Sequence, residues 1–140
     1  MKKAITIGLT LLIICGIVWA AKAWSFRRTD EKIAKFNADC DSLILGIQQY
    51  KEFVGTYPTG NNISIAKALL GQTDKKVLIL AVRKSDMNDK GEILDPWGTP
   101  LQFYFSHNEV MIRSAGANRV WQDSAVHLSD DLYRCALMDK

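Results

Sequence analysis

No acidic side chain precedes Asp30 in this chain of 140 residues. Residues 1–28 instead carry five cations, Lys2, Lys3, Lys22, Arg27 and Arg28, with nothing of opposite sign to pair them. Histidine is scarce as well, with only His107 and His127. No Ser/His/Asp set and no His/Cys spacing accompanies them, so neither a nucleophilic triad nor a zinc site is legible. Both histidines read as exposed loop residues. A basic stripe is also missing. Residues 29–140 hold 13 basic and 15 acidic side chains, a net of −2, so the overall +3 belongs to the N-terminal stretch. Nucleic-acid binding needs a basic face on the folded part, and the pattern excludes it. No internal repeat, no low-complexity tract and no small-molecule site is evident.

What is present first is an apolar run. Residues 4–21 contain no charge. As a helix, they would extend about 27 Å, close to the roughly 30 Å of a bilayer core. Trp19 and Trp24 fall where an interfacial aromatic belt lies. A retained single-pass anchor is the favoured reading. A cleaved signal peptide competes, because Ala21 and Ala23 suit a cut before Trp24. A lipoprotein signal at Cys15 is disfavoured by Ile14 before it. Lys2 and Lys3 hold the short N-terminal head inside, while Lys22, Arg27 and Arg28 pull the other way. A two-residue head followed by a long foldable tail reads as an export signal, with the tail outside. The chain therefore divides into an anchor, residues 1–28, and an extracytoplasmic domain, residues 29–140.

A helix is expected next, over residues 29–54, capped by Thr29 or Asp30 or continuous with the membrane segment. Ile33, Phe36, Cys40, Leu43, Ile47, Tyr50 and Val54 repeat at steps of three and four, an apolar stripe. The stripe suits either a coiled coil with another chain or burial against this chain's own strands, and its short length favours the second. Gly55 is the expected stop, supported by Pro58. Residues 63–70 read as a short helix capped by Asn62 and ended by Gly71. Residues 76–82 are apolar and ambiguous between strand and helical turn. After Asp95-Pro-Trp-Gly-Thr-Pro100, strands 101–106 and 109–114 form a hairpin across His107-Asn108. Leu101, Phe103, Phe105, Val110 and Ile112 alternate with more polar neighbours, so one sheet face packs, most naturally on the helix stripe. A last strand is expected over residues 131–137. The fold class is α+β, a long N-terminal helix packed on a small antiparallel sheet.

The order of these features resembles the major pseudopilin of bacterial type II secretion. The residues that carry the likeness are Tyr50 near the helix end, then Gly55, Tyr57 and Pro58, then Asp95, Pro96, Trp97 and Gly98, then the Ser114–Gly116–Asn118 turn. They span roughly residues 39–123. The resemblance implies a pilin-like fold and a structural, non-enzymatic role in protein secretion or a pilus-like machine. It implies an inner-membrane protein with its C-terminal domain in the periplasm, and other pseudopilin-like or secretion-system subunits as partners. It also implies calcium in the loop after the second strand, with Asn118, Asp123, Asp130 and Asp131 as candidate ligands.

The chain departs from the family in two places. The family's peptidase-cut glycine and following Phe-Thr-Leu-Ile-Glu are missing, so no carboxylate lies in the apolar run. A buried carboxylate in lipid is kept only for a use. Its absence favours the alternative of an anchored extracytoplasmic scaffold domain that does not polymerise. The second departure is Asn118, where the family has aspartate. Within the D-P-W-G turn, Trp97 is expected to pack beneath the chain while Asp95 accepts backbone N–H groups. Cys15 reads as a small apolar residue. Cys40 and Cys135 lie in the exported part, where a disulfide between them and two free thiols are both open readings.

Overall fold

The computed structural model describes the backbone of residues 2–79, 82–122 and 129–137, and side chains from residue 14 onward. Its element order is α1 (Lys2–Val54), α2 (Asn62–Leu69), a 3-10 turn (Lys84–Asp86), β1 (Gln102–Ser106), β2 (Glu109–Ser114) and β3 (Leu132–Leu137). The chain separates into two compact units, residues 1–34 and 35–140. In the first unit, every described residue from Ile14 to Asp30 is exposed. Among the described residues no helix is long and apolar enough to cross a membrane. In the span expected at 4–21, the side chains of residues 4–13 lie outside those described.

In the second unit the fold is α+β. Five of the seven stripe residues form the buried face of α1, with Phe36, Cys40, Leu43, Ile47 and Tyr50 all between 0 and 6 % exposed, while Ile33 and Val54 at its two ends are half-buried. Its cover is the chain's own later sequence, so the stripe is not a seam left for another chain. The three strands pair antiparallel in the order β1-β2-β3. Phe103 lies opposite Ile112, and Ile112 opposite Arg134. Side chains alternate across a strand, so Phe103, Phe105, Val110, Ile112 and Arg134 share the inner face. Val110 and Ile112 are fully buried there. Arg134 reaches Asp41 on α1 through Nε at 2.9 Å and Nη2 at 2.7 Å. Both side chains remain about half exposed, so this forked ion pair contributes at most about 1 kcal/mol.

Helix α1 ends where glycine allows it to. Gly55 takes φ +85° and donates its N–H to the Lys51 carbonyl at 2.7 Å, closing the last turn in a left-handed conformation. The short helix differs from expectation by one residue. Asn61 is the N-cap, and its Oδ1 accepts the Ser64 N–H at 3.0 Å. Asn62 does something else. Its amide donates to the carbonyls of Ile93 and Leu101 at 2.9 and 2.7 Å, and its Oδ1 accepts the Ile93 N–H at 2.6 Å. Two adjacent asparagines thus divide a local and a long-range task that sequence alone assigns to one. The apolar run 76–82 is neither strand nor helix where described. It makes one bridge, Leu70 to Leu78, and buries Ile79 and Val82; residues 80 and 81 lie outside the described residues.

Cys40 and Cys135 are not bridged; both are free thiols. The register explains why. Cys135 stands opposite Met111 and between Arg134 and Ala136, so it points to the outer sheet face, while Cys40 is sealed on the helix side. Burial, then the carboxylates of Asp39 and Asp41, push the Cys40 thiol from 9.0 to about 12, against a smaller opposing pull from Arg134. In the unfolded chain it ionises near its ordinary value; in the folded chain it stays protonated. This preference stabilises the fold below about pH 9 and is lost as pH rises toward 12. We expect stability to fall by up to roughly 1.4 kcal/mol per pH unit across that window. Urea unfolding at stepped alkaline pH measures it, and Cys40→Ala should flatten the slope. An unchanged slope in that variant would remove Cys40 as its source.

Candidate functional site

The residues singled out by motif converge on one buried carboxylate. Asp95 opens the D-P-W-G turn. Its N–H donates to the Thr99 carbonyl at 2.8 Å, and its own carbonyl accepts the Gly98 N–H at 2.9 Å. Gly98 has φ +88°, the conformation that a tight return after Trp97 demands. Asp95 Oδ1 accepts the N–H groups of Trp97 and Thr99 at 2.9 and 2.8 Å. Pro96, between Asp95 and Trp97, contributes no N–H and holds φ fixed. Trp97 is buried beneath the turn.

The second oxygen links this turn to another. Ser114 at the end of β2 donates its hydroxyl to Asp95 Oδ2 at 2.6 Å, and Ser114 Oγ accepts the Gly116 N–H at 3.0 Å. One carboxylate, 5 % exposed, therefore ties the turn before the sheet to the turn after its second strand. The Ser114–Asp95 pair has the composition of a nucleophile and an orienting acid. It is sealed from solvent, however, and among the described residues no histidine stands between them. His107 sits exposed at the hairpin tip with φ +36°, and His127 lies outside the described residues.

The remaining motif residues anchor the end of α1. Tyr57 stacks on Phe105 of β1, with ring centroids 5.8 Å apart, and its hydroxyl accepts from Lys51 Nζ at 2.8 Å. Pro58 is fully buried beside it, and Tyr50 is 6 % exposed. The G-T-Y-P turn thus fastens the helix end to the first strand.

Below Ser114 lies the acidic loop. Gly116 comes so close to residue 130 that a Cβ there would stand 2.1 Å from the Asp130 carbonyl oxygen. Asp130 Oδ2 accepts the Asn118 N–H at 2.9 Å, and Asn118 Oδ1 accepts the Val120 N–H at 2.7 Å. Asp131 Oδ2 receives Arg113 Nε at 2.8 Å and Nη2 at 2.5 Å, and Arg113 Nη2 also donates to the Gln122 carbonyl. Burial works against the Arg113 charge, but the Asp131 carboxylate together with Tyr104 and Tyr133 outweighs it and raises the guanidinium pKa above its ordinary value. The guanidinium also lies 5.2 Å from the Trp121 ring centre and 5.3 Å from that of Tyr133. Sequence reasoning missed Arg113, because an arginine on the wetter face of an alternating strand looks like a solvated side chain.

Two carboxylate oxygens in this loop, Oδ1 of Asp130 and Oδ1 of Asp131, are buried with no hydrogen-bond partner. Burying such an acceptor unsatisfied is costly, and a hard cation takes up oxygens of this kind. The donor chemistry of Asp130 and Asp131 therefore fits calcium. Asn118 has its side-chain oxygen already engaged, and Asp123 lies outside the described residues. Among the described residues there is no group of three or more His, Cys, Asp or Glu side chains placed to hold a metal.

Two concavities lie nearby. A cavity of about 90 Å³ separates Leu43 from Val82 and Leu101, well below the roughly 300 Å³ of small-molecule sites. A shallower groove of about 340 Å³ runs beside Asn62, Tyr104 and Trp121. The class defined by fold and site is thus an α+β domain whose motif residues build turns and tie them together. No protein-family model, no curated protein and no solved structure matches the chain.

Proposed function

We propose that this chain is a membrane-anchored, pilin-like structural subunit that works by binding other subunits of a protein-secretion or pilus-type machine. The observation that carries the reading is the Asp95 junction. The D-P-W-G and S-x-G-x-N turns on which the pseudopilin likeness rests share one buried carboxylate, beneath a sheet that packs on the helix stripe. In this reading residues 4–21 span the inner membrane once, and the folded domain faces the periplasm. The domain acts through its surface and does no covalent chemistry. Mild crosslinking in intact cells, followed by purification of the chain, tests this. Recovery with secretion or pilus subunits supports it, and recovery of monomer alone sinks it.

A second reading has its own observation. With no carboxylate before Asp30, the chain lacks the group that would neutralise a neighbour's amino terminus in a growing filament, which favours an anchored scaffold domain that does not polymerise. A Thr10→Glu chain distinguishes the two. Gain of higher-order assembly supports the filament reading, and no gain supports the scaffold.

Calcium belongs to the same proposal. Asp130 and Asp131, with Asp123 as a further candidate, would hold the ion and neutralise their own charge in the loop. Saturating calcium should then raise the melting temperature of the detergent-solubilised chain by several degrees over chelator-treated protein; at a hundredfold excess over Kd, linkage gives about 2.7 kcal/mol. Asp130→Asn should lose most of that rise. No calcium-dependent shift in the native chain would remove calcium from the proposal.

A further inference from the structure

The geometry points to a basic-aromatic collar at residues 19–28 that binds the anionic headgroups of phospholipids at the bilayer surface. The inference rests on the anchor reading above and names the lipid chemistry that the anchor meets.

Three observations within the first unit carry it. The first is distribution around the helix. At 100° per residue, Trp19, Lys22 and Phe26 fall along one face, and Trp24 and Arg28 fall about 140° and about 180° away from Trp19. Trp19 is 78 %, Phe26 70 % and Trp24 63 % exposed. A partner helix would be met by one stripe, as α1 itself shows further on. Large aromatics on opposite sides, each with a cation one turn away, suit a medium that surrounds the helix.

The second observation is the pairing of charge with ring. The Arg28 guanidinium lies 4.3 Å from the Trp24 ring centre. A cation over an indole keeps its outer donors free for phosphate while the ring faces the apolar side. Lys22, Arg27 and Arg28 form a run of one sign, with no acid before Asp30. Anionic headgroups supply the missing charge.

The third observation is that the polar side chains between them are satisfied internally. Ser25 donates its hydroxyl to the Lys22 carbonyl at 2.9 Å, and Thr29 donates to the Ser25 carbonyl at 3.1 Å. Neither hydroxyl carries an unmet donor into the interface. The dimensions agree. From Lys22 to Arg28 the helix rises about 9 Å, comparable with the roughly 5–8 Å of headgroup region on each side of a bilayer core.

The test uses the full chain reconstituted in phosphatidylcholine vesicles containing a trace of spin-labelled phosphatidylglycerol or of spin-labelled phosphatidylcholine. A cation close to an anionic surface contributes about 1 kcal/mol, which is about a fivefold change in an equilibrium. The glycerol-headgroup label should therefore be enriched around the protein about fivefold or more, and added salt should reduce the enrichment. The K22Q/R27Q/R28Q chain should lose it, and the charge-preserving K22R/R27K/R28K chain should keep it. Equal retention of the two lipids, or enrichment unchanged in the glutamine chain, overturns the collar and leaves the anchor standing. A native chain released from the vesicles by an alkaline wash overturns the anchor reading itself.

Discussion

Asp95→Ala is expected to destabilise the folded domain by about 4 kcal/mol. The carboxylate accepts from two backbone N–H groups and one serine hydroxyl, all buried or nearly so. Hydrogen bonds to a charged acceptor contribute about 1.5–3 kcal/mol each, and a donor left buried without a partner costs about 1–3 kcal/mol. Water entering the turn recovers part of this, which sets the expected loss below the simple total. Domains of this size have about 5–15 kcal/mol in all, so the variant should be partly unfolded at physiological temperature. Asp95→Asn keeps one carbonyl oxygen for the two N–H groups and gives up the charge; a loss of about 1–2 kcal/mol is expected. Urea unfolding of the detergent-solubilised chains measures both. An alanine variant as stable as the native chain would show that the two turns hold without their shared carboxylate.

Gly116→Ala should come close to that effect by a different route. Glycine there has φ +66°, and the space a Cβ needs is already filled by the Asp130 carbonyl oxygen at 2.1 Å and its carbon at 2.8 Å. Both are backbone atoms, so no rotamer change relieves the overlap. The left-handed conformation alone costs an L-residue about 1–2 kcal/mol; moving the segment that carries Asp130 and Asp131 brings the expected loss to about 3–5 kcal/mol. Gly98→Ala is the internal control. Its φ is +88°, but nothing lies within 4 Å of the added carbon, so it should lose only about 1–2 kcal/mol. Equal losses in the two variants would mean that backbone conformation, and not the close approach to residue 130, governs Gly116. If the approach governs, proteolysis near residues 117–131 should also quicken in Gly116→Ala, because the Asn118–Asp130 bond depends on it.

These two positions show where legibility in the sequence ends. Gly116 reads locally as a turn glycine, which is correct and incomplete: its tightest neighbour is fourteen positions away. Asp95 reads locally as the acceptor of its own turn's N–H groups, yet half of its work is done on Ser114. The candidate calcium ligands fare unevenly for the same reason. Asp130 and Asp131 are adjacent in sequence, but one carboxylate meets the Asn118 backbone and the other the Arg113 guanidinium.

The sequence by itself determined what short-range physics controls. A step of three and four residues marks the face of α1 from Phe36 to Tyr50, glycine and proline mark the stop at Gly55, and period-two alternation marks the hairpin across His107-Asn108. Each of these depends on backbone geometry within a few residues, so the pattern and its cause lie in the same stretch of chain. Only the tertiary structure decided what covers the stripe, which asparagine caps α2, which way Cys135 faces, and that Arg113 pairs with Asp131. Those outcomes depend on strand register and on which distant groups burial brings together, and a one-residue shift in register would reverse every side chain on β3. The first 29 residues lie at the other extreme. Their lack of negative charge is plain from the sequence, but the wrapping of aromatic and cationic groups around both sides of one helix appears only once that helix is built.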